Sequence, residues 1–189
     1  MNAQTASTKV NPLLAPDSAT DHIHGSKSAR VTLVEYGDFE CPSCGQAHAA
    51  LKIMLAHFGP DVRFVFRHFP QREVHPRAES AAETAEAAGA QGKFWQMHDL
   101  LFDHQQHLDE KHLHQYANQL ELDIPRFENE MRDHVYLQRV QEQVAGAERL
   151  HVRATPTFYV NGVFADVSFG LEHLHQAIDK ALSTGRAAG

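Results

Sequence analysis

The chain has 189 residues, 42% of them hydrophobic and 22% charged, enough for one domain, or one domain with a large insertion, to bury a core without disulfide staples. Its 24 acidic side chains outnumber 17 Lys and Arg, and a formal net charge of −7 argues against a nucleic-acid binder. The 11 Gly and 8 Pro exclude collagen-like and low-complexity classes, and two Cys exclude a disulfide-dense scaffold; no apolar run approaches the about 18 residues a membrane span needs.

Residues 1–30 read as an N-terminal polar arm. Their longest apolar stretch, Leu13-Leu14-Ala15, lies between Pro12 and Pro16 and is far short of a secretory h-region. The expectation is a cytoplasmic protein, or a periplasmic one if a leader has been removed. Residues 31–36 (VTLVEY) form a β-branched and aromatic run ended by Gly37-Asp38, the pattern of a buried strand. Apolar residues at Ala47, Leu51, Met54, Leu55 and Phe58 then recur at helical spacing from Pro42 onward, until Gly59-Pro60-Asp61 interrupts them. Residues 62–67 (VRFVFR) predict a second strand, and strand–helix–strand predicts a parallel βαβ unit.

No strand pattern is found from about 76 to 150. The Ala/Glu-rich residues 78–90 favour helix, and further helices are predicted over 94–105, 109–120, 125–134 and 135–150, with Asp123 and Pro125 marking a helix start. Sheet pattern returns at residues 157–160 and 163–165 around Asn161-Gly162, a strong hairpin signal. A final amphipathic helix is predicted over 171–182, followed by a frayed tail at 183–189. The fold class is therefore α/β: a βαβ…ββα core, which is the thioredoxin fold, with an inserted all-helical subdomain. The predicted boundaries are an arm at 1–30, a thioredoxin-like domain at 31–70 and 151–184, and the insertion at 71–150.

Both cysteines lie in Cys41-Pro42-Ser43-Cys44, after the first strand and at the start of the first helix. Pro42 suits the first helical position, which makes Cys41 the N-cap, next to unpaired N–H groups and the positive end of the helix dipole. That setting lowers a thiol pKa. Two intervening residues on a helical turn bring the sulfurs within disulfide range. Cys41 is expected at the exposed end of the turn, as the attacking sulfur, and Cys44 inside it, as the resolving one. A metal-binding CxxC requires partners, and no second CxxC exists, so a redox pair is the reading and no metal ligand is assigned.

The stretch from Val31 to Cys44, the pair Thr155-Pro156, the segment Phe66-Arg67-His68-Phe69-Pro70, the dipeptide His75-Pro76 and the run Gln91-Gly92-Lys93-Phe94-Trp95 together resemble the DsbA-like thiol-disulfide oxidoreductases of the thioredoxin superfamily. The resemblance covers about residues 21–182. It implies a cis Thr155–Pro156 bond lying against the cysteines, with the Thr155 backbone able to pair with an extended substrate. It places Glu35 beneath the disulfide, where burial raises its pKa and lets it exchange a proton with Cys44. Pro42, Ser43, Thr155, Pro156 and His75 are the implied substrate-binding residues. Ser43 departs from the Pro-His dipeptide of the most oxidising members, so a weaker oxidant is expected.

The implied activity is protein-disulfide exchange without a cofactor beyond the Cys41–Cys44 disulfide. Its partners are protein or peptide thiols and a redox partner of unknown identity, with no nucleic acid and no membrane span. Two alternatives are a glutathione-dependent transferase or isomerase on the same fold, and a redox-sensing binding module. Retention of both cysteines disfavours the former. Among 15 histidines, the groups His22 with His24, His104 with His107, His112 with His114 and His173 with His175 are expected on solvated polar faces.

Overall fold

The computed structural model describes residues 11–186. Its sheet is built on two strands, β2 (Val31–Gly37) and β3 (Val62–His68), each buried at every position except the second. Strands covered on both faces need near-continuous apolar runs and suit parallel pairing. β2 and β3 pair in parallel, from Val31 opposite Val62 to Gly37 opposite His68. The crossover between them is α1 (Pro42–Phe58). β4 (Thr157–Val160) runs antiparallel to β2, and β5 (Val163–Ala165) antiparallel to β4. Asn161 and Gly162 join these last two with φ of 49° and 80°, the left-handed pair of a type I′ turn.

Between β3 and β4 the chain forms α2 (Ala78–Gly89), α3 (Phe94–Asp103), α4 (Glu110–Gln119), α5 (Ile124–Arg132) and α6 (Leu137–Arg149), and α7 (Glu172–Arg186) follows β5. This is the thioredoxin fold with inserted helices, as the sequence predicts. α2 is buried almost all round through six alanines, Thr84, Glu83 and Glu86. Its small side chains let neighbouring helices close on it. Asp109 and Asp123 cap α4 and α5 by accepting from the N–H groups of His112 and Arg126.

Part of the expected arm belongs to the sheet. β1 (His22–His24) pairs antiparallel to β3, giving the strand order β1-β3-β2-β4-β5. Arg67 on β3 fastens this stretch. Its guanidinium donates to both carboxylate oxygens of Asp21 at 2.8 Å, to the Tyr36 hydroxyl at 3.0 Å and to the carbonyls of Leu13 and Ala15. Leu14 is buried beside Val34, Tyr36 and Val65. Residues 1–10 of the expected arm lie outside the described residues. The frayed tail is corrected likewise: α7 continues to Arg186, and residues 187–189 lie outside the description.

Side-chain alternation along β2 sorts the core. Val34 and Tyr36 join the cluster with Leu14 and Tyr159, whereas Val31 and Leu33 join the larger cluster containing Cys41, Cys44 and the α1 residues Ala47 and Leu51. Glu35 shares the parity of Leu33 and so lies on the α1 side. Among the described residues no helix is long and apolar enough to cross a membrane.

Candidate active site

Cys41 is the N-cap of α1 in an extended conformation, with Pro42 in the first turn. Pro42 and Ser43 are exposed. The exposed sulfur expected at Cys41 is corrected: Cys41 is 6% exposed and Cys44 0%. The cover over Cys41 comes from the loop before β4, because its thiol donates to the carbonyl oxygen of Thr155 at 3.4 Å. The Thr155–Pro156 peptide bond is cis. Both cysteines are free thiols in this structure.

The two sulfurs differ in acidity. The Cys41 thiol is lowered to about 5, first by a hydrogen bond from Cys44, then, against a desolvation cost, by the Thr155 side chain and the backbone N–H groups of Cys44 and Ser43. The helix N-terminus therefore contributes, but the largest cause is the neighbouring sulfhydryl. Burial pushes the Cys44 thiol far up, and its bond to Cys41 and the Glu35 charge push the same way. Glu35 is 2% exposed, its Oε1 has no hydrogen-bond partner, and burial followed by the Cys41 charge raises it to about 8. Gly37, two residues on, opens space beside it. A Cβ there would stand 2.4 Å from Phe66 and 3.2 Å from Glu35 Oε1.

Sequence reasoning missed two residues that hold this loop. The buried carboxylate of Asp38 accepts from the Glu40 N–H at 2.8 Å, the Gln71 N–H at 2.9 Å and His75 Nδ1 at 2.8 Å. Gln71 in turn donates to the Arg153 carbonyl at 3.3 Å. His75 is thus brought to the site through Asp38, three residues before Cys41, and its side chain is 18% exposed. Gln105, beyond α3, donates from Nε2 to the carbonyls of Phe39 and Cys41 at 2.8 Å each. Neither carries a motif: Asp38 was visible only as part of a strand-ending Gly-Asp, and Gln105 is 64 residues from its partner.

The histidine groups divide. His112 pairs with Asp109, His114 with Glu128 and His175 with Asp179, all partly exposed. His22 departs from the expected solvated face. It stacks on Phe94 at 3.4 Å between centroids and meets Glu86 at 2.9 Å, the carboxylate that also holds buried His68 and Arg139.

A family model described as thioredoxin matches residues 17–180. Relatives named Na(+)/H(+) antiporter NhaA 1 include one from Salinispora arenicola, 47% identical over 92% of this chain, and one from Mycolicibacterium vanbaalenii, 46% identical over 76% of it. The chain spans about a quarter of their length, 27% and 24%. Among solved structures, a thioredoxin-like oxidoreductase from Silicibacter pomeroyi is 26% identical with a TM-score of 0.76, covering 87% of this chain and 93% of that one. Wolbachia pipientis alpha-DsbA1 has a TM-score of 0.80 at 21% identity, over 95% and 99%. Oxidised BdbD from Bacillus subtilis has 0.79 at 22%, over 89% and 96%. The last two establish likeness of fold.

Proposed function

The chain belongs to the thioredoxin family, and from that premise we propose that it is a DsbA-like thiol-disulfide oxidoreductase exchanging a Cys41–Cys44 disulfide with protein or peptide thiols. The observation that carries this reading is the opposed acidity of the two sulfurs, one lowered to about 5 and the other raised, above a buried carboxyl raised to about 8.

In the oxidising direction a substrate thiolate attacks Cys41 Sγ. The Cys41–Cys44 bond breaks, and the Cys44 sulfur leaves with the electron pair and takes the Glu35 proton. A second substrate thiolate then attacks the substrate sulfur of the mixed disulfide. The Cys41 thiolate leaves, and its low basicity makes it the better leaving group. The substrate has lost two electrons and the protein has gained them. In the reverse direction Glu35 accepts the Cys44 proton as that sulfur attacks Cys41 Sγ.

Thr155 and Pro156 flank the reacting sulfur, with Pro42 and Ser43 exposed beside it, and these four line the substrate approach in this reading. His75 acts at one remove, through Asp38. Regenerating the disulfide requires a redox partner that accepts two electrons. Persistent disulfides form in oxidising compartments, so export-side placement fits the oxidising direction better than the cytoplasmic placement expected from the N-terminus. The antiporter name belongs to proteins several times longer than the matched stretch, and the chemistry proposed is that of the stretch itself.

A trapping experiment tests this. Cys44→Ser should accumulate a mixed disulfide when its Cys41 thiolate attacks a disulfide-bonded cysteine peptide and expels one peptide thiol, visible as an intact-mass adduct, while Cys41→Ser should trap none. An adduct on Cys41→Ser would reverse the two roles, and no adduct on either would remove the function.

A further inference from the structure

We infer that His48, His98, Asp99 and Asp103 form a binding site for a zinc-type divalent ion on the seam between α1 and α3, separate from the cysteine pair. Donor atoms of His48, His98 and Asp99 all lie within 4.8 Å of one another. His48 Nε2 is 3.8 Å from Asp99 Oδ1 and 3.7 Å from Asp103 Oδ1, and His98 Nδ1 is 3.1 Å from Asp99 Oδ1. Two donors at tetrahedral angles around a zinc ion, each bound at 2.0–2.1 Å, stand about 3.4 Å apart. These three pairs therefore need a few tenths of an ångström of adjustment, whereas the wider pairs of the cluster, and Asp103 outside it, must close in further, and the two carboxylates that would move are 44% and 52% exposed.

A second observation points to a ligand independently of the spacing. His48 is 6% exposed, yet its buried Nε2 has no hydrogen-bond partner. Leaving a buried polar atom unpaired is costly, so this nitrogen is poised for a partner. The ring is held by packing, stacked on Phe102 with centroids 5.0 Å apart and edge-on to His98 at 5.3 Å. On binding, His98 would coordinate through Nδ1 and carry its proton on Nε2, which is itself buried and unpaired.

Two imidazole nitrogens and two carboxylate oxygens suit zinc or its first-row neighbours better than calcium or magnesium, which take oxygen donors. A groove of about 600 Å³ bordered by Leu51, Lys52 and Trp95 reaches the cluster and provides an entry path. Lys52 Nζ lies 3.6 Å from Asp99 Oδ2 and competes with a bound cation for that carboxylate. The sequence did not show the cluster because His48 and His98 are 50 positions apart on different helices.

The test is calorimetric titration of the untagged, oxidised protein with ZnCl2, since oxidation prevents the cysteine sulfurs from ligating. Cobalt binding is followed in parallel by visible d–d absorption. One ion per chain should bind. The double variant Asp99→Asn/Asp103→Asn, altered only at partly exposed positions, should bind at least about tenfold more weakly, the scale on which even outer ligand partners act. Lys52→Ala should bind more tightly. No binding by the oxidised wild type, or an Asp99→Asn/Asp103→Asn isotherm matching wild type, would overturn the site. The disulfide chemistry would stand in either case.

Discussion

Gln105 Nε2 donates to the Cys41 carbonyl oxygen at 2.8 Å, so the active-site turn is held by a residue in the turn just past an inserted helix. The same amide reaches Phe39, and its Oε1 lies where a Cβ on Gly45 would stand, 2.0 Å away. Gln105→Ala loses two neutral hydrogen bonds, worth about 1 kcal/mol each. The expected outcome is a loss of about 1–3 kcal/mol in urea unfolding, with a shift in the Cys41 titration that a purely structural contact would not cause. Gly45→Ala should produce the same shift by displacing the amide, and the double variant should add little to either. Additive effects would show that the two positions act separately.

The acidity of Cys41 makes the stability of the reduced protein pH-dependent. Its folded pKa, about 5, lies below the unfolded value of about 8.5. The unfolded chain therefore binds more protons between these values, and stability rises with pH across that window. The gain is fully present above the unfolded pKa and is lost as pH falls through about 5. Glu35, raised to about 8, contributes with the opposite sign and weakens the fold as pH rises toward that value. Urea unfolding of Glu35→Gln in both redox states, from pH 5 to pH 8, isolates the Cys41 thiol, since the raised Cys44 thiol acts with the opposite sign only as pH approaches and passes the unfolded thiol value. The reduced form should gain stability relative to the oxidised form as pH rises; a flat difference contradicts the low Cys41 pKa.

Glu35 itself is tested through kinetics. If it shuttles the Cys44 proton, Glu35→Gln should slow the closing step, in which Cys44 displaces substrate from Cys41, by about 10²–10³-fold, on the order of general acid–base effects. Attack by the Cys41 thiolate on a peptide disulfide should stay within a few-fold of wild type. Rapid-quench measurement of both steps separates them. Equal slowing of the two would assign Glu35 a structural part only.

The core of this arrangement was legible because its signals are local. The run 31–36, the breaker Gly59-Pro60-Asp61 and the Asn161-Gly162 turn each lie within a few residues of the element they define, and the CxxC lies on the helix start it needs. What escaped depends on pairs far apart in the chain. β1 is three residues long, and Arg67 anchors the stretch beside it by holding Asp21, 46 positions away. The burial of Cys41 depends on Thr155, 114 positions on. His22 looked like a surface residue because nothing near it in sequence announces Phe94 or Glu86.

Replacing Ser43 by His should make the protein a stronger oxidant. Ser43 is exposed in the first turn of α1, and its backbone N–H already favours the Cys41 thiolate. An imidazolium at this position adds positive charge beside that thiolate on top of the helix terminus, and leaves the disulfide largely unaffected. The reduced state falls in energy, so the potential rises. One pKa unit at Cys41 corresponds to about 30 mV in this two-electron couple, and solvent screening of an exposed side chain makes that an upper bound. Above an imidazole pKa of about 6.5 the charge is lost and the gain should shrink. Strain in the disulfide, or the Thr155–Pro156 loop alone, would set a potential blind to residue 43. Equilibrating wild type and Ser43→His with glutathione redox buffers at pH 6 and pH 8 distinguishes the two accounts. A rise at pH 6 that diminishes at pH 8 supports the charge, and an unchanged or lower potential at pH 6 removes it.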